Sequence, residues 1–333
     1  MKFHLALISI VFAFALAAKA QVPQASQAGF VKIRQDRELY VDWSYAKAGK
    51  PTVILLNGLT YSTVQWDRFA DQLIQQGFGV LRYDPFGMGR TLIRYAPISA
   101  DIPIDDQARD LHDLIQALKV TTPVNLVGLS YGGGLAIRYA SLFPQEVAKV
   151  IAMAPYTEPM KSQHDWIMSQ IWYTRQVQPW NKASDDELYA FFFRQIVYST
   201  YPVVEPVVLE NPFKLEGVFR MGLGIRKFYA ADIVANLPPH SLYLLIAGKD
   251  QYIPRNVLET FWTAAPANVK ASKVIIGNSE HKIPEDVPRF SASLVAEILQ
   301  GSPAMQGGDE FEADPYSGQV TYPGGSLQLT KEY

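Results

Sequence analysis

Ser130 sits in Gly128-Leu129-Ser130-Tyr131-Gly132, a G-x-S-x-G pentad with a further glycine, Gly133, directly behind it. Val124, Leu126, Val127 and Leu129 read as a strand leading in, and "GLAIRYASLF" reads as a helix leading out. A serine on such a strand-to-helix turn stands exposed on a strained backbone. Its neighbours must then be tiny, because a Cβ there would clash. The helix N-terminus also aims unpaired N–H groups at any negative charge that develops beside the hydroxyl. These are the needs of an acyl-transfer nucleophile, but a serine hydroxyl is a poor one without a base.

Four histidines lie beyond residue 20. His112 falls inside a helical pattern, His164 opens an aromatic-rich stretch, and His240 precedes a strand. His281 lies in the polar turn "NSEHKIPED", after the apolar run "KVIIG". Two acids could orient an imidazole and stabilise its charged form. Asp250 stands in "LLIAGKDQYIP" just past an apolar strand, and Glu158 stands in "APYTEP" after the strand before it. An oxyanion hole needs two backbone donors. The N–H of Tyr131, next after the serine, is the first expected donor, and the N–H of Leu59, in "NGLT" after "TVILL", is the second.

The elements that must hold these groups alternate along the chain. "LYVDWSYA" has the alternation of a half-exposed strand, whereas residues 52–58, 78–84, 124–129 and 148–155 read as buried strands. "SLYLLIAGKD" and "SKVIIGNSEH" resume that pattern later in the chain. Residues 105–118 carry the helical period, with Ala108, Leu111, Leu114, Ile115 and Leu118 on one side. Apolar strands separated by helices predict βαβ units and a mostly parallel sheet covered on both faces. Residues 156–236 break the alternation with a dense set of aromatics and no central strand, which predicts an inserted helical cap. The last 33 residues hold six glycines and three prolines with little periodicity. They read as a flexible extension from 301 to 333, with a weak hairpin around "VTYPGGSLQL".

With these motifs in order, the chain resembles the α/β-hydrolase superfamily, in particular its capped, esterase- and lipase-like serine hydrolases, over residues 30–300. "LLNGLTYSTVQWD" resembles the oxyanion loop, "RYDPFGMGRT" the D-x-x-G-x-G turn, and "GLSYGGG" the nucleophile elbow. "GKDQYIP" and "SEHKIPEDVPRF" resemble the acid and histidine loops. The resemblance implies an α/β-hydrolase fold and the chain order Ser130, Asp250, His281 for the triad, which ranks Asp250 above Glu158. It implies no metal and no organic cofactor. Asn57 departs from the pattern, since many members have histidine before that glycine, and Asp84, Gly87 and Gly89 read as loop architecture.

Function classes narrow accordingly. A serine where haloalkane dehalogenases and epoxide hydrolases need a carboxylate argues against both. The expected reaction is hydrolysis of carboxylic esters with an apolar acyl or alkyl group through an acyl-enzyme, with Trp166, Trp172, Trp180 and Phe192 of the cap as candidate walls for that group. An alternative is a proline-type aminopeptidase holding a substrate amine on Glu205 or Glu210. A non-catalytic binding protein of this fold would lack a triad member, and none is missing here.

The start of the chain is a separate object. Lys2, the apolar run of residues 5–18 and Ala18-Lys19-Ala20 read as a secretory signal peptide cut after Ala20. Its 14 residues would span about 21 Å as a helix, short of a ~30 Å hydrocarbon core. No stable membrane span is therefore expected after cleavage. Losing Lys2 and Lys19 takes Lys plus Arg from 30 to 28 against 32 acids, a balance that invites neither nucleic acid nor an anionic membrane. With no cysteine, an exported form gains no disulfide, and its stability must come from the core. Secretion or a periplasmic location is the expectation.

Overall fold

The apolar runs expected as buried strands become the middle of one sheet in the computed structural model, which describes residues 26–59, 61–204 and 211–333. The expected signal segment, residues 1–20, lies outside the described residues. The strands are β1 (Ser26–Arg34), β2 (Arg37–Ser44), β3 (Thr52–Leu56), β4 (Gly79–Asp84), β5 (Val124–Leu129), β6 (Val147–Met153), β7 (Leu242–Ala247), β8 (Lys270–Ile276), β9 (Glu310–Asp314), β10 (Gln319–Tyr322) and β11 (Gly325–Gln328). Their order across the sheet is β1-β2-β4-β3-β5-β6-β7-β8-β9-β10-β11. From β4 to β9 every pairing is parallel. The pairings at both edges, β1 with β2, β2 with β4, and β9 through β11, are antiparallel.

The helices are α1 (Asp67–Gln75), α2 (Gly89–Tyr95), α3 (Ile104–Leu118), α4 (Tyr131–Leu142), α5 (Lys161–Val177), α6 (Asp185–Val204), α7 (Lys214–Ile225), α8 (Arg255–Ala264), α9 (Ile283–Asp286) and α10 (Pro288–Leu299). Two-residue periodicity splits the core between the faces of the sheet. Ile54, Leu56 and Leu126 face one way and pack with Leu111 of α3 and Leu135 of α4. Val53, Leu55 and Val127 face the other way, toward Phe69 and Leu73 of α1 and Phe290 and Leu294 of α10. Covered on both sides, the central strands have no need of a polar face, which is why they read as continuous apolar runs.

Between β6 and β7 the chain leaves the sheet and forms α5, α6 and α7. Ile167, Ile171, Leu188, Phe193, Val197, Val218, Phe219 and Leu223 make a small core of their own there. Helix α7 lies hard against the sheet domain. A Cβ on Gly224 would stand 1.9 Å from the Ile102 carbonyl oxygen, so only glycine allows that approach.

The expectation of a flexible extension at 301–333 is corrected. β9 adds to the sheet beside β8 in parallel register, and the hairpin of β10 and β11 follows it. Met305, Phe311, Ala313 and Val320 are buried in the same core as α1 and α10. The Glu332 carboxylate accepts the backbone N–H groups of Arg289 and Phe290, both at 3.0 Å, and so closes the first turn of α10. The glycines that suggested flexibility include Gly308 and Gly318, at φ +78° and +75°, where the chain must turn. Among the described residues no helix is long and apolar enough to cross a membrane.

Candidate active site

Parallel strands deliver their carboxyl ends to one edge of the sheet, and crevices outside that edge are where open α/β sheets bind ligands. Leu59 follows β3, Ser130 follows β5, Asp250 follows β7 and His281 follows β8. Four distant segments of sequence therefore meet because their strands run the same way.

Ser130 has φ +53° and ψ −115°, outside the regions that an L residue adopts at ease. The conformation is held on several sides. The Ser130 N–H donates to the Met153 carbonyl at 2.9 Å, and its own carbonyl accepts the N–H groups of Gly134 and Tyr156 at 3.1 and 2.8 Å. A Cβ on Gly128 would lie 2.1 Å from the Gly132 carbonyl oxygen, and one on Gly132 would lie 2.0 Å from that of Leu56. The two glycines that begin and end the pentad are thus demanded by backbone packing. Tyr131 opens α4, so its N–H has no acceptor within the helix.

The Nδ1–H of His281 donates to Oδ2 of Asp250 at 2.8 Å. Asp250 is itself fixed, since its Oδ1 accepts the N–H groups of Tyr252 and Ile253 at 2.8 and 2.9 Å. Both side chains are largely sheltered from water, at 2% exposure for Asp250 and 12% for His281. A proton held at Nδ1 leaves Nε2 as the basic nitrogen. Glu158, the competing acid, is not the partner of His281. The other histidines are engaged elsewhere or lie apart. His112 stacks on Phe143 and faces Glu146 at 3.1 Å, while His240 Nδ1 faces the Lys270 carbonyl.

Behind the loop that carries Leu59, Asn57 donates to the Tyr83 carbonyl at 3.0 Å and accepts the Trp66 indole N–H at 2.9 Å. Asn57 is therefore a brace. Asp84 accepts the Thr63 and Arg90 N–H groups, both at 2.8 Å. Burial raises its carboxyl pKa to about 6 against the pull of those donors. It shapes the turn, as the sequence suggested.

One cavity joins Ser130, His281, Leu59 and Tyr131. The aromatic walls expected from the cap are corrected. Trp166, Trp172, Trp180 and Phe192 do not line the cavity. Trp172 and Trp180 are 65% and 74% exposed, and Trp166 meets Phe192 edge-on away from it. The lining comes instead from Tyr156, Met160, Tyr189, Phe193, Ile225 and Tyr252. On α5 the inward residues are Ile167 and Ile171, one turn apart, and Trp166 and Trp172 flank that stripe. Glu205 and Glu210, the acids considered for an amine, lie outside the described residues. Among the described residues no aspartate or glutamate lines the cavity, and no cluster of ligating side chains could hold a metal ion.

Comparison with known proteins agrees with this architecture. A family model described as alpha/beta hydrolase fold matches residues 51–195, which include Leu59 and Ser130 but neither Asp250 nor His281. Over 137 residues the chain is 29% identical to a 2-hydroxy-6-oxononadienedioate/2-hydroxy-6-oxononatrienedioate hydrolase of Paraburkholderia xenovorans, covering 40% of this chain and 46% of that one. Over 99 residues it is 31% identical to Lipase 3 of a Moraxella species, covering 30% of each. The chain thus spans less than half the length of either relative. A thermophilic esterase from Thermogutta terrifontis superposes with a TM-score of 0.58 at 19% identity, over 82% of this chain and 98% of that one. A carboxylesterase from Bacillus subtilis superposes at 0.54 and 16% identity, over 84% and 93%. At those identities the likeness speaks for the fold.

Proposed function

We propose that this chain is an α/β-hydrolase superfamily member that hydrolyses carboxylic esters through an acyl-enzyme formed on Ser130; the family-model match and the shared fold support that reading. The observation that carries the reading is the Asp250–His281 pair, 2.8 Å apart, opening on the same cavity as a serine held at φ +53°. In this mechanism Nε2 of His281 takes the Ser130 proton as Oγ attacks the ester carbonyl. The N–H groups of Tyr131 and Leu59 stabilise the oxyanion, each contributing about 2.7–4 kcal/mol in the transition state. His281 then returns the proton to the departing alkoxide, and water repeats the sequence to free the acid and Ser130. Asp250 keeps the imidazole in one tautomer and stabilises its charged form.

The apolar wall sets the expected substrate shape. Each methylene buried against Tyr156, Tyr189, Phe193 and Ile225 should add up to about 0.8 kcal/mol, nearly fourfold in kcat/KM per carbon until the space is full. A ladder of 4-nitrophenyl esters from acetate to dodecanoate tests both the reaction and the wall. We expect hydrolysis with an optimum above acetate, an optimum that moves in Phe193→Leu and stays in Trp172→Ala and Trp180→Ala. No hydrolysis anywhere on the ladder would defeat the ester reading. An optimum that follows the tryptophans would return the wall to the outer face of the cap.

Export is also proposed, on the signal pattern of residues 1–20. Intact-mass measurement of exported protein should give an N-terminus at Gln21. A mass that retains residues 1–20 would point to an anchor instead.

A further inference from the structure

The cavity above Ser130 is apolar over most of its wall, yet Arg226 and Lys282 both line it. A cation in such a wall is unfavourable unless something anionic answers it. Arg226 caps α7 on the cap side, and its side chain is only 18% exposed. Its guanidinium carbon stands 5.6 Å from the centre of the Tyr189 ring, another lining residue. Its ion partner is Asp186 at 3.0 Å, in the first turn of α6. Asp186 is 66% exposed and is not among the lining residues. A pair with so exposed an acid is weak, and one contact does not exhaust the five donors of a guanidinium. A carboxylate arriving from the cavity could be met by a two-pronged pairing that the exposed aspartate does not match in shelter from water. Lys282, beside His281, also lines the cavity, with Glu285 3.9 Å away and the Tyr61 ring centre at 5.9 Å.

We propose that the ester this site prefers carries a carboxylate away from its scissile bond, and that Arg226 binds that carboxylate. The proposal rests on Ser130 being the acyl-transfer nucleophile. An apolar stem bearing an anion at its far end suits a wall that is aliphatic and aromatic with a guanidinium set into it. It also disfavours a substrate amine, which would meet the Arg226 guanidinium and no acid among the described lining residues.

The test compares esters matched in shape but not in charge. Methyl hydrogen adipate against methyl hexanoate places the charge on the acyl side. The butanoyl ester of 5-hydroxypentanoate against pentyl butanoate places it on the alcohol side. In the wild-type protein the charged ester of one pair should exceed its neutral match at least tenfold in kcat/KM. The pair that does so tells which side of the ester faces Arg226. Arg226→Gln should lower that charged-to-neutral ratio at least tenfold, mainly through KM. Asp186→Asn should raise it several-fold, because it removes the competing carboxylate. A merely structural salt bridge predicts an unchanged ratio, since breaking it from either end should change both esters alike.

Neutral esters preferred in both pairs, or a ratio that neither variant moves, would overturn the proposal and leave ester hydrolysis standing. The wild-type comparison and Asp186→Asn keep the test decisive if Arg226→Gln folds poorly. A readout free of catalysis separates the two claims. If adipate raises the melting temperature of the wild type but not of Arg226→Gln while no ester is cleaved, the anion site stands and the esterase reading falls.

Discussion

Ser130→Ala should lower kcat/KM on the preferred ester by about 10³–10⁶-fold, with the fold intact. The range follows from how the triad is divided. Removing the hydroxyl would remove the proposed nucleophile, while the proposed oxyanion donors of Tyr131 and Leu59 and the cavity would remain and sustain a residual rate over water. His281→Ala should cost nearly as much, and the double variant little more, because the two groups act as a unit. Asp250→Asn should lose activity through the imidazole tautomer, and Glu158→Gln should keep most of it. The strained turn adds a second signature. At φ +53° and ψ −115° the backbone strain that a Cβ brings is about 1–3 kcal/mol, so Ser130→Gly should be as inactive as Ser130→Ala yet more stable, by an amount visible in thermal melts. Ester hydrolysis near the wild-type rate in Ser130→Ala would end the proposed mechanism. A Ser130→Gly variant less stable than Ser130→Ala would mean that the turn is not strained as its dihedrals imply.

How much of this was legible depended on whether local rules decide the outcome. The turn at Ser130 was readable because its constraints are local. Gly128 and Gly132 face carbonyl oxygens of the same turn and of the neighbouring strand, at distances no Cβ tolerates. The central strands were readable because burial on both faces leaves an unbroken apolar signature. Asp250 and His281 are 31 residues apart in sequence, and only the chain order carried over from a resemblance singled them out. Their 2.8 Å contact needs β7 and β8 to be neighbours, which periodicity does not state.

The cap walls were misread for a physical reason. Helices α5 and α6 carry large apolar side chains around most of their circumference. Composition therefore marked an aromatic region without marking which face turns inward. Phe193 lies inward and Phe191 outward, two positions apart on one helix. Arg226 escaped notice because a lone cation near a helix end gives no signal until the cavity beside it is known.

The C-terminal segment supplies the other large effect. Removing residues 301–333 should cost the protein most of its stability, seen as insolubility or a fall in melting temperature of more than about 10 °C. Phe311 is 1% exposed, Val320 and Met305 are fully buried, and all three pack in the core shared with α10. A single buried phenylalanine reduced to alanine costs about 3–5 kcal/mol, and a whole domain is stable by only about 5–15 kcal/mol. The deletion also strips β8 of its outer neighbour, leaving an apolar parallel strand as an open edge, and it removes Glu332 from the first turn of α10. The effect should reach the chemistry as well. The Gly277 N–H, four residues before His281, donates to the Ala313 carbonyl of β9 at 2.8 Å. The strand that presents the histidine is thus paired along its far side with the very segment that sequence marked as loose. Phe311→Ala offers a milder version, expected to lower the melting temperature by several degrees while keeping the charged-to-neutral preference of the cavity. A truncated protein that melts within 2 °C of the full chain and retains its activity would show that β9 to β11 add nothing to the core.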